Sequence, residues 1–262
     1  MAMKKTLITA GVHGAEIGSV LIAREIKGWV DSRGIKEVEV IPEVNLEAIE
    51  RKQRENPEDG KDLNRIFPGK ENGTKSERKA HRIFQKSKGF DRIIDLHTYG
   101  KNSRCVPYML TDLNEDYNRN FCEEVGLNNA VQTGGTGGQL FLETSKLGIP
   151  SMIIEAGGSE WYRDELEKVK RAVLSLIFKD EFREEKNEVS YYEYYERIRP
   201  DSKGHFEPKK EPGDDVDEGE VIGLLAGEAV KAPFSGLILG LKMESEFQPE
   251  KESIAALARK QK

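Results

Sequence analysis

Apolar positions along this chain recur with two periods that take turns. "TLITA" (6–10) is a short continuous apolar run of the kind a buried strand needs. It is followed by "AEIGSVLIAREIKGWV" (15–30), where Ile17, Val20, Leu21, Ile26, Trp29 and Val30 fall at helical spacing. "VEVIPEVN" (38–45) is β-branched and alternating, and "SERKAHRIFQKSK" (76–88) returns to the helical period. "FDRIIDLHT" (90–98), "VPYML" (106–110) and "IPSMIIEAGG" (149–158) read as strands, and "EWYRDELEKVKRAVLSLIFKDEF" (160–182) as a long amphipathic helix. Strand–helix alternation over roughly the first 185 residues predicts an α/β fold, a sheet covered by helices on both faces. Such sheets take ligands beyond the carboxyl ends of their strands. "GVHGAE" (11–16), the histidine of "DLHT" and the glutamate of "IIEAGG" all fall at that edge.

The pattern then changes. "YYEYYERIRPDSKG" (191–204) leads into short β-like pieces with turn signals, "GHFEP", "GDDVDEGEVIGLL" and "VKAPFSGLILGLK". A helical period returns only in "KESIAALARKQK" at 251–262. Residues 196–247 read as a small all-β module. The expected division is 1–190 followed by a second unit, 191–262, made of that module and a C-terminal tail. The tyrosine cluster 191–195 reads as a packed linker between them.

Composition narrows the classes of function. The chain has 262 residues, 34% of them charged, and a formal net charge of −6. That suits a solvated surface and argues against nucleic acid as the main partner. No apolar stretch approaches the ~20 residues needed to span a bilayer, so no membrane partner is expected. The start lacks the apolar segment and cleavage site of a signal peptide. Cys105 and Cys122 have no CxxC spacing and fit a reducing, cytoplasmic setting better than a disulfide framework. A homo-oligomer is compatible with the sequence.

His13 and Glu16 stand three apart in a strand-to-helix turn, close enough to meet one ion. A catalytic zinc keeps three protein ligands and one open position. His97, at the end of a separate predicted strand, is the natural third ligand. His81, on a basic helix, and His205, in the β module, are less well placed. Taken alone, His-x-x-Glu is as easily a polar turn capping the next helix. In "GKDLNRIFPG" (60–69), Asn64 and Arg65 offer an amide and a planar fork of donors suited to a carboxylate, or simply a turn with an exposed arginine. Glu155 ends an apolar run, where a carboxylate needs a partner or a wet cleft. It reads as a general base on an activated water, or as an anion at a helix start. "TGGTGGQ" (133–139) lacks the Lys-Ser/Thr of a phosphate loop and reads as a turn or a flexible active-site loop.

Taken in order, "GVHGAE", "RENPEDGKDLNRIFPG", "IDLHT" and "IIEAGG" resemble the succinylglutamate desuccinylase/aspartoacylase family, relatives of the zinc carboxypeptidases. "GHFEP" and "VKAPFSGLILGL" extend the resemblance through nearly the whole chain. It implies a zinc-carboxypeptidase-like mixed sheet flanked by helices, with a small C-terminal all-β barrel-like domain. It further implies one Zn2+ per chain held by His13, Glu16 and His97, with Asp62 orienting the His13 imidazole. Asn64 and Arg65 would hold a substrate carboxylate, and Glu155 would be the acid/base. Arg54 would stabilise the oxyanion, although Arg51 lies one helical turn away in the same basic stretch. The β domain resembles a biotinyl/lipoyl-like barrel, but "AGEA" at its hairpin has no lysine to carry a prosthetic group. The expected activity is zinc-dependent hydrolysis of the amide bond of N-acylated amino acids or similar small amides. A carboxypeptidase with the same residues would instead release amino acids from unblocked peptides. A metal-dependent binding protein would need neither Glu155 nor Arg54.

Overall fold

The computed structural model describes residues 3–100, 102–135, 137–158, 163–179, 181–182, 188–249 and 252–261. Its first part runs β1 (Thr6–Ala10), α1 (Ile17–Ser32), β2 (Val38–Ile41), α2 (Leu46–Glu50), a 3₁₀ turn (Leu63–Arg65), α3 (Lys75–Ser87) and β3 (Arg92–Thr98). There follow β4 (Ser103–Thr111), α4 (Asp116–Val125), β5 (Asn129–Gln132), α5 (Leu140–Ser145), β6 (Ser151–Gly157) and α6 (Arg163–Ile177). Strands β2, β1, β3 and β6 lie side by side and parallel. Their side chains alternate between two cores, as the period of a strand requires. Ile8 and Ile94 pack with Ile22, Ile26, Val169 and Val173 of α1 and α6. Leu7 and Ile93 pack with Ala80 and Phe84 of α3 on the other face. A reciprocal cap between Thr74 and Glu77 starts α3. The predicted start of the last helix, residues 160–162, lies outside the described residues.

The remaining elements are all strands: β7 (Ser190–Ile198), β8 (Gly204–Pro208), β9 (Asp215–Val216), β10 (Val221–Leu225), β11 (Glu228–Lys231), β12 (Gly236–Lys242), β13 (Ser245–Phe247) and β14 (Ala255–Lys260). Strands β11, β10, β8 and β13 make a separate small sheet over Phe206, Ile222, Phe234 and Phe247. The other late strands return to the main sheet. Strand β4, antiparallel to β6, pairs with β5; β5 pairs with β7, β7 with β14, β14 with β12, and β12 again with β4. That circuit closes a five-stranded barrel on the edge of the α/β sheet.

Two expectations are corrected here. "KESIAALARKQK" does not continue as a helix, because residues 255–260 form β14, paired on both sides by β7 and β12. The tyrosine cluster is not a linker, since it lies within β7. The β10–β11 hairpin turns through Ala226 and Gly227 and carries no lysine at its tip. Among the described residues, no helix is long and apolar enough to cross a membrane.

Candidate metal centre and catalytic pocket

The carboxyl ends of β1 and β3 bring His13 and His97 together, with ring centroids 5.0 Å apart. Gly14 allows this on the β1 side. A Cβ there would fall 2.0 Å from the carbonyl carbon of Ala48, so only glycine lets the histidine turn lie against α2. Glu16 occupies the residue before α1, yet its side chain caps nothing. One carboxylate oxygen faces His13 Nδ1 at 2.7 Å and the other faces His97 Nδ1 at 2.9 Å. The backbone N–H of Thr98 donates to the second oxygen at 3.2 Å. Of the two readings of His-x-x-Glu, the geometry is that of a cluster rather than of a cap.

Each imidazole is also held from behind. His13 Nε2 lies 3.1 Å from Asp62 Oδ1, and His97 Nε2 lies 3.0 Å from Asp95 Oδ2. Asp95 in turn accepts from Thr9 Oγ1 at 2.7 Å. With the outer nitrogen tied to a carboxylate, the inner one is left to point its lone pair at the centre, the arrangement usual for ligating histidines. One ligand atom from each of His13, Glu16 and His97 lies within 4.8 Å of the others. Burial lowers both histidine pKa values, but the flanking carboxylates outweigh it and hold them above the ordinary value. Glu16 shows the reverse balance: burial raises its pKa, while the two histidines bring it well below the usual carboxylate range. Two nitrogens and a carboxylate converging in a buried pocket, wrapped in negative charge, fit a divalent cation such as zinc.

The pocket in front of this cluster has a volume of about 270 Å³. Arg54, Asn64, Arg65 and Glu155 all line it, so the expected residues meet in one place. Arg51 is exposed and does not line the pocket. Arg54 donates through Nε to Asp62 Oδ2 at 2.9 Å, and its Nη1 stands 3.9 Å from Glu16. Asp62 also accepts from the Asn64 backbone N–H at 2.9 Å, capping the 3₁₀ turn. Among the described residues, the buried Asn64 side-chain oxygen has no hydrogen-bond partner, and neither has the hydroxyl of Thr98. Glu155 sits within β6, which continues to Gly157, so it is not a helix-start anion. Burial and then the nearby Glu16 raise its pKa, only partly offset by His97, Arg197 and His13. His81 and His205 do not line the pocket, and His205 is exposed beside Glu244 and Glu246. Gln139 of the glycine-rich segment reaches the pocket; Thr136 lies outside the described residues.

The late strands add residues that the motifs do not mark. Tyr195 and Arg197 of β7, Gly240 and Lys242 of β12, and Glu252 line the same pocket, as do Tyr99 and Tyr108. A Cβ at Gly240 would fall 2.2 Å from the Tyr99 ring, so the glycine makes room for that side chain. The alternating pattern of β7 could have suggested which residues share a face; their place at the pocket depends on the barrel closing.

The catalytic domain of the succinylglutamate desuccinylase/aspartoacylase family matches residues 2–178. An N-alpha-acetyl-L-2,4-diaminobutyric acid deacetylase of Halomonas elongata is 27% identical over 114 residues, 42% of this chain and 33% of that protein. The chain thus matches about a third of the length of that relative. An aspartoacylase family protein of Mesorhizobium loti superposes with a TM-score of 0.81 at 24% identity, covering 100% of this chain and 87% of the other. A succinylglutamate desuccinylase/aspartoacylase of Rhodobacter sphaeroides gives 0.82 at 22% identity over 100% and 87%. The product-bound ectoine utilization protein EutE (DoeB) of Ruegeria pomeroyi gives 0.82 at 18% over 98% and 86%. These structures share the fold.

Proposed function

This chain belongs to the succinylglutamate desuccinylase/aspartoacylase family, and we propose that it is a zinc-dependent deacylase that hydrolyses the amide bond of N-acylated amino acids or related small amides. The observation that carries the reading is the convergence of His13, Glu16 and His97 in one pocket with Glu155, Arg54, Asn64 and Arg65. The Halomonas elongata relative, named for removing an acetyl group from a diamino acid, supports a small N-acyl substrate.

His13, Glu16 and His97 would hold the zinc ion, which when bound would lower the pKa of water toward ~7 and draw electrons from the scissile carbonyl. Glu155 accepts a proton from the attacking water and later returns it to the leaving nitrogen as the C–N bond breaks. The products are a carboxylate and an amine. Arg54, held by Asp62 at the His13 side, donates to the carbonyl oxygen as it gains charge. The Asn64 amide and the Arg65 guanidinium hold the substrate carboxylate. Residues 1–190 carry the chemistry in this reading, and 191–262 close the pocket. A cytoplasmic setting is part of the same proposal, in keeping with two buried free thiols, Cys105 and Cys122.

The test is a metal assay paired with a substrate panel. Purified protein should carry one zinc per chain, and His97→Ala should lose it. N-acyl amino acids should be deacylated, and unblocked peptides left intact. Release of C-terminal amino acids from peptides would establish a carboxypeptidase, and zinc without any turnover would establish a binding protein.

A further inference from the structure

Arg54 and Asp62 both stand beside His13, and both belong to one loop, residues 51–62. Arg54 Nη1 lies 3.5 Å from His13 Nδ1, and Asp62 Oδ1 lies 3.1 Å from His13 Nε2. The loop has no helix or strand of its own. It leaves α2 through Lys52 in left-handed backbone, φ 51°, and the Arg54 main chain makes no hydrogen bond among the described residues. What places Arg54 must therefore lie elsewhere in the loop. Asn56, two residues on, is fully buried.

All four polar groups of Asn56 are used. Its N–H donates to the Lys61 carbonyl at 3.0 Å, and its carbonyl accepts from the Gly60 N–H at 2.8 Å. That clasp closes residues 56–61 and sets the position of Asp62, the next residue. In the side chain, Oδ1 accepts from the Glu58 N–H at 2.9 Å, and Nδ2 donates to Asn45 Oδ1 at 2.9 Å. Asn45 is fully buried too, and its Nδ2 donates to the Val12 carbonyl at 3.3 Å. An N–H only donates and a carbonyl only accepts, so Glu58 at one end and Val12 at the other fix the orientation of both amides. Val12 is the residue before His13. The tie thus runs from the Arg54–Asp62 loop to the His13 turn. Asp59 makes a second tie, accepting from the Ser76 N–H at 2.9 Å and from its Oγ at 2.7 Å, but that one joins the loop to α3.

We propose that Asn56, acting through Asn45, is a positioning residue for the reaction. It sets Arg54 and Asp62 in register with His13, so that one pair of buried amides places both the oxyanion donor and the support behind the imidazole. Arg65 stands outside this control, because its turn is fixed separately by the Phe67 N–H, which donates to the Gly138 carbonyl at 3.1 Å. Loss of the tie should therefore disturb the chemical step and the metal site, and leave the grip on the substrate carboxylate. This deepens the deacylase reading and rests on it for the role of Arg54. The placement of Asp62 behind His13 does not depend on turnover.

The test uses the full-length, zinc-loaded protein and the variant Asn56→Ser. A serine still accepts from the N–H two residues on, as asparagine does, but cannot reach Asn45, so it removes the tie and spares the turn. On the best N-acyl amino acid, kcat should fall about tenfold or more, as a misplaced catalytic group implies, while KM stays within about twofold. In an Arg54→Ala background the same change should lower kcat by less than about twofold, because the group it positions is already gone. In an Arg65→Ala background the full loss should persist. Zinc affinity, by chelator competition, should fall severalfold, less than the roughly 10- to 100-fold expected from losing Asp62 itself. Wild-type kcat and zinc affinity in Asn56→Ser would overturn the proposal. So would losses that multiply with those of Arg54→Ala, which would mark Asn56 as part of the general scaffold. If no N-acyl amino acid is hydrolysed, the deacylase reading falls, and weakened zinc binding in Asn56→Ser still supports the positioning of the His13 side.

Discussion

Gly14→Ala should cost the protein its metal without costing it its fold. The added Cβ would lie 2.0 Å from the Ala48 carbonyl carbon, 2.1 Å from its oxygen and 2.3 Å from the Ile49 nitrogen. All three are backbone atoms of α2, which cannot swing aside as a side chain can. Ordinary contact begins at 3.4 Å, so the 11–16 turn and α2 must separate by about 1.4 Å. His13 is the preceding residue, and its ring is positioned by contacts of 2.7 Å to Glu16 and 3.1 Å to Asp62. A displacement of that size takes either contact out of hydrogen-bond range. Loss of the Asp62 contact, which holds the imidazole from behind, would by itself lower metal affinity typically 10- to 100-fold. Overpacking itself costs about 1–3 kcal/mol, which a domain of this size survives. Competition with a chelator should therefore show zinc affinity reduced at least tenfold, while circular dichroism stays that of wild type. Gly28→Ala is the matched control, because its Cβ meets nothing within 4 Å in the middle of α1. It should keep the zinc and raise stability by about 0.4–1 kcal/mol. Wild-type zinc affinity in Gly14→Ala would refute the claim that the close approach to α2 positions His13.

Glu155→Gln should retain zinc but lower kcat by roughly 10²-fold or more, because the amide keeps the shape and cannot accept the proton; near-normal turnover would place the base elsewhere. Arg54→Ala should lower kcat by roughly 10²-fold, whereas Arg65→Ala should chiefly raise KM, since a carboxylate is held equally before and during the reaction. Steady-state kinetics with the reverse pattern would exchange the two roles. Glu47, bonded to Lys75 and Lys79, has its pKa lowered from 4.5 to about 2. The depressed folded-state value means its stabilisation is present above pH 4.5 and is lost as pH falls through about 2, so the Tm gap between wild type and Glu47→Gln should close over that window. A gap independent of pH would show that the ion pairs contribute nothing.

What could be read from the sequence was local, and what could not was created by pairing across long separations. The cluster of His13, Glu16 and His97 was legible because both histidines lie at strand ends that apolar runs announce, "TLITA" before His13 and "RIID" before His97, and Glu16 follows His13 by three residues. The choice between Arg54 and Arg51 was not legible, because both lie in one basic stretch. In the folded chain the Asp62 carboxylate pairs with Arg54, which lines the pocket, while Arg51 stays exposed. The C-terminal segment shows the same limit more sharply. Ala, Leu, Arg and Lys are strong helix formers, and "IAALARK" carries little else. In the folded chain Ala256 and Ala258 face the barrel interior with Tyr192 and Leu239, while Ala255 and Leu257 face Phe206 and Ile238 on the other side. Both faces are covered and both edges are paired, so small residues are what fit, and pairing overrides intrinsic preference. That closing strand is also the one paired with Tyr195 and Arg197, opposite Ala258 and Ala256. Arg197 reaches the pocket because β14 and β12 complete the ring between β7 and β4. That side of the pocket is therefore built by residues that no local motif links to the His13–Glu16–His97 cluster.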